Sequence, residues 1–411
     1  MALTDGRTKR IFVSDIHMGD ETSHNPPEHL HPWAWLSEER AKKFARFLEL
    51  ISRDPQVKEI IILGDLFDEW ICPTELNPVG QPDQFHKIAD AEQNTQVIQG
   101  LRDIAQHDEI DLIYVPGNHD MLITQDIIED IIPKITFLHD PDYPGKGLFE
   151  ADGIAAEHGS WYCLFNAPDW YSQSDHMLPE GFFISRAAAH RQADTGEHMD
   201  YLKMLAEAIG SIIDKDAFGK LVYDTVVEGT GPYADKWIKM GGIDNFIEPV
   251  QLKAPSEWYA NLTDQWKIHM SQMHDNVHWL LAASGDASGS LRIAAGLQYF
   301  RKPNKADIVI FGHTHKKDIL GANWFPKEKE VVKLTRERGP RLAERRYPIS
   351  PGPWKYIYAN SGAWIDSAQT CNFVETQLDE SARKHYVRLM QCDEPHGEPE
   401  ITKASECFKK V

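Results

Sequence analysis

Cysteine is scarce in this chain and poorly placed for pairing. Five cysteines in 411 residues, Cys72, Cys163, Cys371, Cys392 and Cys407, are odd in number, widely scattered and without a CxxC pair. That pattern indicates neither a disulfide framework nor a cysteine zinc site. Long apolar runs are missing too. None approaches the roughly 20 residues a membrane helix needs, and the opening "MALTDGRTKRIFVSD" lacks the apolar stretch of a secretory signal. A cytoplasmic protein is therefore expected, and in that setting the glycosylation pattern Asn261-Leu262-Thr263 carries no meaning. Positive charge is in deficit. A formal net charge of −20 argues against a general nucleic-acid coater, because phosphate backbones reward a basic face. Internal repeats and low-complexity tracts are also absent. The length suits one large domain or a few smaller ones.

What the chain does contain is a recurring local grammar: a short β-rich apolar run that stops at residue types able to bind metals. "RIFVSDIH" ends in Asp15 and His17, "EIIILGDLFD" in Asp65 and Asp68, and "DLIYVPGNHD" in Asn118, His119 and Asp120. "GIAAEHG" gives His158, "DIVIFGHTH" gives His313 and His315, and "YIYANSGAW" gives Asn360. Continuous apolar runs of this length fit strands covered on both faces. Between them run helical stripes: Phe44, Phe47, Leu48 and Ile51; Val97, Ile98, Leu101 and Ile104; Ile127, Ile128 and Ile131 after a Thr124 cap. Strands alternating with helices predict an α/β layered fold, in which ligands gather outside the carboxyl ends of the strands. Any one of these endings could be an ordinary turn, since Gly, Asn and Asp are common there. The repetition carries the inference.

Asp15 and His17, two apart, would leave the same face of an extended backbone and share a cation; His313 and His315 would repeat the arrangement. Carboxylate, imidazole and amide oxygen together suit Mn²⁺, Fe²⁺ or Zn²⁺ better than Ca²⁺ or copper. A carboxylate such as Asp65 can bridge two ions, and a pair about 3.5–4 Å apart is the usual clamp for displacement at phosphorus.

DIH, GDLFD, GNHD, HG and GHTH, in that order, resemble the signature of the calcineurin-like metallophosphoesterases. The resemblance implies a four-layer α-β-β-α sandwich of two mixed sheets, carrying two divalent ions with Mn²⁺ foremost and Fe²⁺ or Zn²⁺ as alternatives. It implies Asp15, His17 and His315 on the first ion, Asn118, His158 and His313 on the second, and Asp65 bridging. His119 would protonate the leaving oxygen with Asp120 orienting its ring, and Asp68 would fix the ligands' geometry. The attacking group would be a hydroxide held between the ions. GDLFDEW and NSGAW most resemble the branch of the UDP-2,3-diacylglucosamine hydrolases, which usually carry arginine in place of His119 and a much shorter cap.

The motif-bearing core is expected over 1–160 and 306–393. Residues 161–305 read as an inserted helical cap, with stripes Leu202, Leu205, Ile209, Ile212 and Trp258, Leu262, Trp266, Met270, Met273, Val277, Leu280. Within it Arg186 and His190 share a helical face beside Arg191, either gripping a charged substrate group or facing solvent. The loop carrying His24, His29 and His31 is a candidate substrate lip. A basic insertion, 316–350, reads as a soluble loop; between Lys316 and Arg346 it holds ten Lys or Arg against five Asp or Glu. "CNFVETQL" and "KHYVRLMQC" suggest a hairpin, and 394–411 a loosely held tail. The function expected is a phosphodiester or phosphoanhydride hydrolase acting on a phosphorylated small-molecule or nucleotide-like substrate. Alternatives are a UDP-sugar or lipid pyrophosphate hydrolase, a nuclease of the same superfamily, or a non-catalytic metal-binding scaffold. Oligomeric state is left open.

Overall fold

The apolar runs that end in polar clusters all fold as strands. A computed structural model describes residues 6–72, 83–163, 166–168, 179–196, 237–238, 250–251, 288–300, 306–324, 351–394 and 400–411. In chain order the first elements are β1 (Lys9–Val13), α1 (Glu21–His24), α2 (Glu38–Ser52), β2 (Val57–Leu63), α3 (Gln84–Asp90) and α4 (Thr95–Ala105). Then come β3 (Asp111–Val115), α5 (Gln125–Ile131), β4 (Thr136–Phe137), β5 (Phe149–Ala151), β6 (Ile154–Ala156) and α6 (Glu180–Thr195). A small pair, β7 (Trp237–Ile238) and β8 (Val250–Gln251), precedes α7 (Ser288–Ala295) and a π-helical turn, Gly296–Phe300. The last strands are β9 (Ile308–Phe311), β10 (Asp318–Ala322), β11 (Tyr356–Asn360), β12 (Cys371–Asp379), β13 (Lys384–Asp393) and β14 (Glu400–Lys410).

Two mixed sheets result. The seven-stranded sheet runs β14-β13-β12-β1-β2-β3-β4, with β1 to β4 parallel and β12 to β14 antiparallel. The five-stranded sheet runs β10-β11-β9-β6-β5, parallel at its centre and antiparallel at both edges. Alternation along each strand sorts the side chains between layers. Ile11, Val13, Ile60, Ile62, Leu112 and Tyr114 face the helices, where they meet Phe44 and Phe47 of α2, Val97 and Leu101 of α4, and Ile128 of α5. Ser37 caps α2 by accepting from Arg40 N, and Thr124 caps α5 by accepting from Ile127 N. Phe12, Ile61, Leu63 and Val115 point the other way, into an apolar layer against Ile154, Ile308, Ile310 and Ile357 of the second sheet. Burying each such side chain is worth roughly 1.5–3 kcal/mol, so this layer holds the sheets in register. On the far face of the second sheet, Tyr299 packs on Phe311 and Phe300 on Tyr356. Helix, sheet, sheet, helix is the observed order.

Two expectations change here. Residues 400–410 are not a loose tail: β14 pairs with β13 along its whole length and closes the antiparallel arm of the seven-stranded sheet. Apolar Ile401 and Cys407, spaced among charges, were too diluted to read as a strand until a partner strand supplied the hydrogen bonds. The start of the basic insertion is likewise a strand, β10, anchored on β11. The expected hairpin is there as β12 and β13. The two helical stripes of the cap lie outside the described residues.

Candidate metal centre

The residues singled out at the strand ends meet at one place. Asp15, His17, Asp65 and His315 form one group, and Asp65, His158 and His313 another, with the candidate ligand atoms of each group lying within 4.8 Å of one another. Asp65 belongs to both. Asn118 joins the second group through its Oδ1, which lies 2.9 Å from His158 Nε2 and 3.1 Å from His313 Nδ1. All are buried except His315, which is half-buried.

The way they converge differs from simple strand alternation. Asp15, His17, Asp65, His313 and His315 lie just past their strands, with φ of 56°, 55°, 53°, 70° and 54°. Among the described residues only three other non-glycine residues, Lys134, Asp152 and Arg383, have positive φ. Left-handed backbone costs an L-residue roughly 1–2 kcal/mol, so the site concentrates strain that the surrounding structure must hold. It does so by cross-bracing. Ile16 N and His17 N both donate to the Asp65 carbonyl, at 2.9 and 2.8 Å, and Trp364 N donates to the Asp15 carbonyl at 3.0 Å. His313 N donates to Asp15 Oδ2 at 3.0 Å, and His119 N to Asp65 Oδ1 at 2.8 Å. Gly64 is required beside them: a Cβ there would lie 2.5 Å from Gly117 Cα and 2.7 Å from His158 Nδ1, and φ is 76°.

Hydrogen bonds at the far nitrogens aim the rings. His158 Nδ1 donates to the Leu63 carbonyl at 2.7 Å, which leaves Nε2 facing Asp65 Oδ2 at 3.1 Å. Asp68 holds two rings at once: Oδ2 is 3.0 Å from His17 Nδ1, and Oδ1 is 2.7 Å from His119 Nδ1. Asp120 therefore does not orient His119. It is buried beneath the loops, accepting from Gly117 N at 2.6 Å, Leu66 N at 2.7 Å and the Tyr114 hydroxyl at 2.5 Å. Its place next to His119 in the chain was misleading, because the turn sends the two side chains apart. Asn360 braces the GHTH loop by donating to the Gly312 carbonyl at 2.6 Å.

The electrostatics follow from opposite charges packed in a buried site. Burial opposes charge on His158, yet the Asp65 carboxylate beside it pushes its pKa up to about 10. Asp65 in turn is held well below the usual carboxylate range despite burial, by the surrounding histidines. Burial would also lower His119, but the carboxylates of Asp68 and Asp65 raise it. His17 is lowered, by burial and by the neighbouring His119. For Asp120, burial and the charge of Asp65 push the carboxyl up to about 6.

The donors suit a divalent cation on their own evidence. Asp15 Oδ1 is buried with no hydrogen-bond partner, 3.4 Å from His315 Nε2. Two imidazole nitrogens, His17 Nε2 and His315 Nε2, face each other at 3.0 Å. A deeply buried set of oxygen and nitrogen lone pairs aimed at one another is what a cation relieves.

Of the expected substrate contacts, Arg186 is not solvated. It is buried, and its guanidinium donates to the Glu69 carbonyl at 2.8 Å. His190 turns to Asp194, 3.7 Å away, and Arg191 is half-buried. The loop of His24, His29 and His31 docks on α6, with His31 N donating to the Ala193 carbonyl at 2.8 Å. Sequence reasoning passed over two tryptophans. Trp70 stacks on His119, with centroids 4.3 Å apart, and Trp35 lies 4.7 Å from His17 and 5.2 Å from His119. Trp70 was visible inside GDLFDEW, directly after the site's acidic pair; Trp35 had no comparable signal.

Compared with known proteins, the chain is 30% identical over 152 residues to a UDP-2,3-diacylglucosamine hydrolase of Neisseria meningitidis, a match covering 37% of this chain and 48% of that protein. The Neisseria gonorrhoeae protein of the same name is 28% identical over 152 residues, with the same coverage. The chain thus matches about half the length of these curated relatives. Among solved structures, Pseudomonas putida nuclease MPE aligns at 18% identity and TM-score 0.22, covering 36% of this chain and 53% of that one. Chaetomium thermophilum Vps29 aligns at 5% identity and TM-score 0.28, covering 98% of each. Likenesses at those scores carry no weight; the two-sheet architecture stands on its own strand pairing. The family model described as calcineurin-like phosphoesterase matches residues 8–317, from the strand that leads to Asp15 to just past His315, and the chain belongs to that family.

Proposed function

We propose that this chain is a metal-dependent phosphoesterase that hydrolyses a phosphodiester or phosphoanhydride bond with two divalent cations. Asp15, His17 and His315 would hold one, Asn118, His158 and His313 the other, and Asp65 both. The observation that carries this reading is the presence of Asp65 in two separate donor groups. Mn²⁺ is our first choice, with Fe²⁺ or Zn²⁺ as alternatives, because the set mixes carboxylate and imidazole without thiolate. Two such ions supply Lewis acidity: charge to offset the phosphoryl oxygens, and a water acidic enough to attack near neutral pH.

The chain's own residues do the rest. Water adds to phosphorus, losing its proton to solvent, and the bond from phosphorus to the leaving oxygen breaks. His119, its Nδ1 bound to Asp68 and its pKa raised by the neighbouring carboxylates against burial, hands its Nε2 proton to the departing oxygen. Trp70 on its face and Trp35 beside it exclude bulk water from the transfer.

The substrate we assign is a phosphorylated small molecule of nucleotide type. The Neisseria relatives' name favours a UDP-sugar pyrophosphate as the second reading. A nuclease stands lower, given the net charge of −20. We assign residues 161–305 to selecting the leaving group. We place the protein in the cytoplasm, in keeping with five buried free cysteines; among the described residues no helix is long and apolar enough to cross a membrane.

The test is metal content followed by a substrate panel with Mn²⁺: monoester, diester, cyclic nucleotide, UDP-sugar pyrophosphate and single-stranded DNA. Near-stoichiometric Mn, Fe or Zn with turnover of bis(p-nitrophenyl) phosphate is expected. A protein free of ions and inert under added Mn²⁺ would instead be a scaffold.

A further inference from the structure

His119 sits in a slot with two walls. One is the carboxylate of Asp68, bonded to Nδ1; the other is the indole of Trp70, stacked at 4.3 Å and 27° from parallel. Both walls belong to one short turn, Asp68-Glu69-Trp70, so the position of that turn sets the position of the ring. Glu69 is gripped at both ends of its peptide. Its N–H donates to the His119 carbonyl at 3.2 Å, and its own carbonyl accepts from Arg186 at 2.8 Å. Arg186 comes from α6, far along the chain, and is 1% exposed. Phe182, one turn earlier on the same helix, sets its ring edge on Trp70 at 6.0 Å, and the Arg186 guanidinium lies over Phe182 at 4.9 Å. α6 thus backs the Trp70 wall directly and the Asp68 wall through the Glu69 peptide.

A buried guanidinium is costly to desolvate and is poorly explained as simple packing. Here it stands among the acidic side chains of Glu69, Asp68 and Asp20 and spends a donor on a backbone carbonyl. That arrangement resists any shift of the Asp68–Trp70 turn away from His119.

We propose that Arg186 is a positioning residue for His119, acting through the Glu69 carbonyl, with Phe182 as its partner against Trp70. The proposal rests on the proton-donor role assigned to His119. A donor displaced by about 1 Å can cost up to about 10²-fold, and the loss falls on substrates whose leaving oxygen needs a proton. A p-nitrophenolate leaves well unprotonated; a phenolate does not.

The experiment compares methyl p-nitrophenyl phosphate with methyl phenyl phosphate, both with saturating Mn²⁺. Arg186→Met should lower kcat about tenfold on the phenyl ester and less than about twofold on the nitrophenyl ester, with KM unchanged within about twofold. Arg186→Lys, which keeps a donor and a charge, should recover more than half of the lost rate. His119→Ala should show the same selectivity, larger, at about 10²-fold on the phenyl ester. An equal loss on both esters in Arg186→Met, or no loss, overturns the positioning role. A steep His119→Ala beside a flat Arg186→Met overturns this proposal alone; a flat His119→Ala overturns the proton-donor reading and the proposal with it. If Arg186→Met does not fold, Phe182→Leu is held to the same criterion.

Discussion

The seven-stranded and five-stranded sheets bring different chemistry to the same cleft. From β1, β2 and β3 the larger sheet delivers Asp15, His17, Asp65 and Asn118, along with the Asp68–His119 pair. The smaller sheet delivers His158 after β6 and His313 and His315 after β9, three imidazoles and no carboxylate. Each half is deficient alone. The first buries two carboxylates with too few partners, and the second holds imidazoles with no anionic charge beside them to attract a cation. Docking corrects both, as the opposed directions at Asp65 and His158 record. The apolar layer between the sheets therefore belongs to the site as much as the candidate ligands do.

Removing one candidate ligand from either sheet tests that division most severely. Asp65→Asn and His313→Ala should each lower turnover about 10³-fold or more, the equivalent of several kcal/mol of lost charge stabilisation, read with Mn²⁺ content by elemental analysis. Retained turnover in His313→Ala would show that the smaller sheet's contribution does not need His313. Opening the layer between the sheets comes next. Phe12→Ala should cost about 3–5 kcal/mol of unfolding free energy in urea, although Phe12 lies in the apolar layer and is not itself a candidate ligand. An unchanged midpoint would separate the layer from the site.

A pH effect of about 3 kcal/mol is expected in the same layer. His385 of β13 is buried, and burial together with the Arg10 charge pushes its pKa down to about 4. Only the unfolded chain takes up the proton between its ordinary pKa of 6.5 and about 4. The contribution is therefore complete above the upper value and lost progressively as pH falls through that window. His385→Leu should flatten this part of the stability profile; an unaltered slope would assign it to other groups. The smallest effect contrasts strain inside and outside the site. Lys134, exposed with φ of 69°, should gain up to about 1 kcal/mol on mutation to Gly, in thermal melts. Asp65→Gly relieves the same strain and should gain no net stability, because the cross-bracing that Asp65 supports is lost.

Much of this could be read from the residues. Strands show in the sequence as unbroken β-branched runs, and the polar types that end them mark one rim of an α/β fold, so the cluster's membership was legible. The path of convergence was not. Five left-handed backbones depend on bonds such as His313 N to Asp15 Oδ2, which join residues nearly three hundred apart. Asp120 was misassigned because adjacency in the chain suggested contact in space, while the turn carries it to Gly117 and Tyr114. Arg186 looked like half of a charged helix face; only the opposing Glu69 carbonyl and Phe182 show that the face is covered. β14 was invisible for a related reason, since an edge strand rich in charge gains its identity from its neighbour.

One feature of the second sheet reaches further than its role in pairing. β6 and β9 are parallel neighbours, with Gly312 N donating to the His158 carbonyl at 2.9 Å. The chain thus leaves the cleft and re-enters it at nearly the same spot, and the sheet demands only a dozen or so residues to make that return. The residues beyond that minimum are an expansion on the pairing itself, and the packing that α6 and the π-helical turn contribute would have to be kept or replaced in any exchange. Reagents built on this scaffold could carry foreign modules there, provided a substitute for the Arg186 brace is supplied.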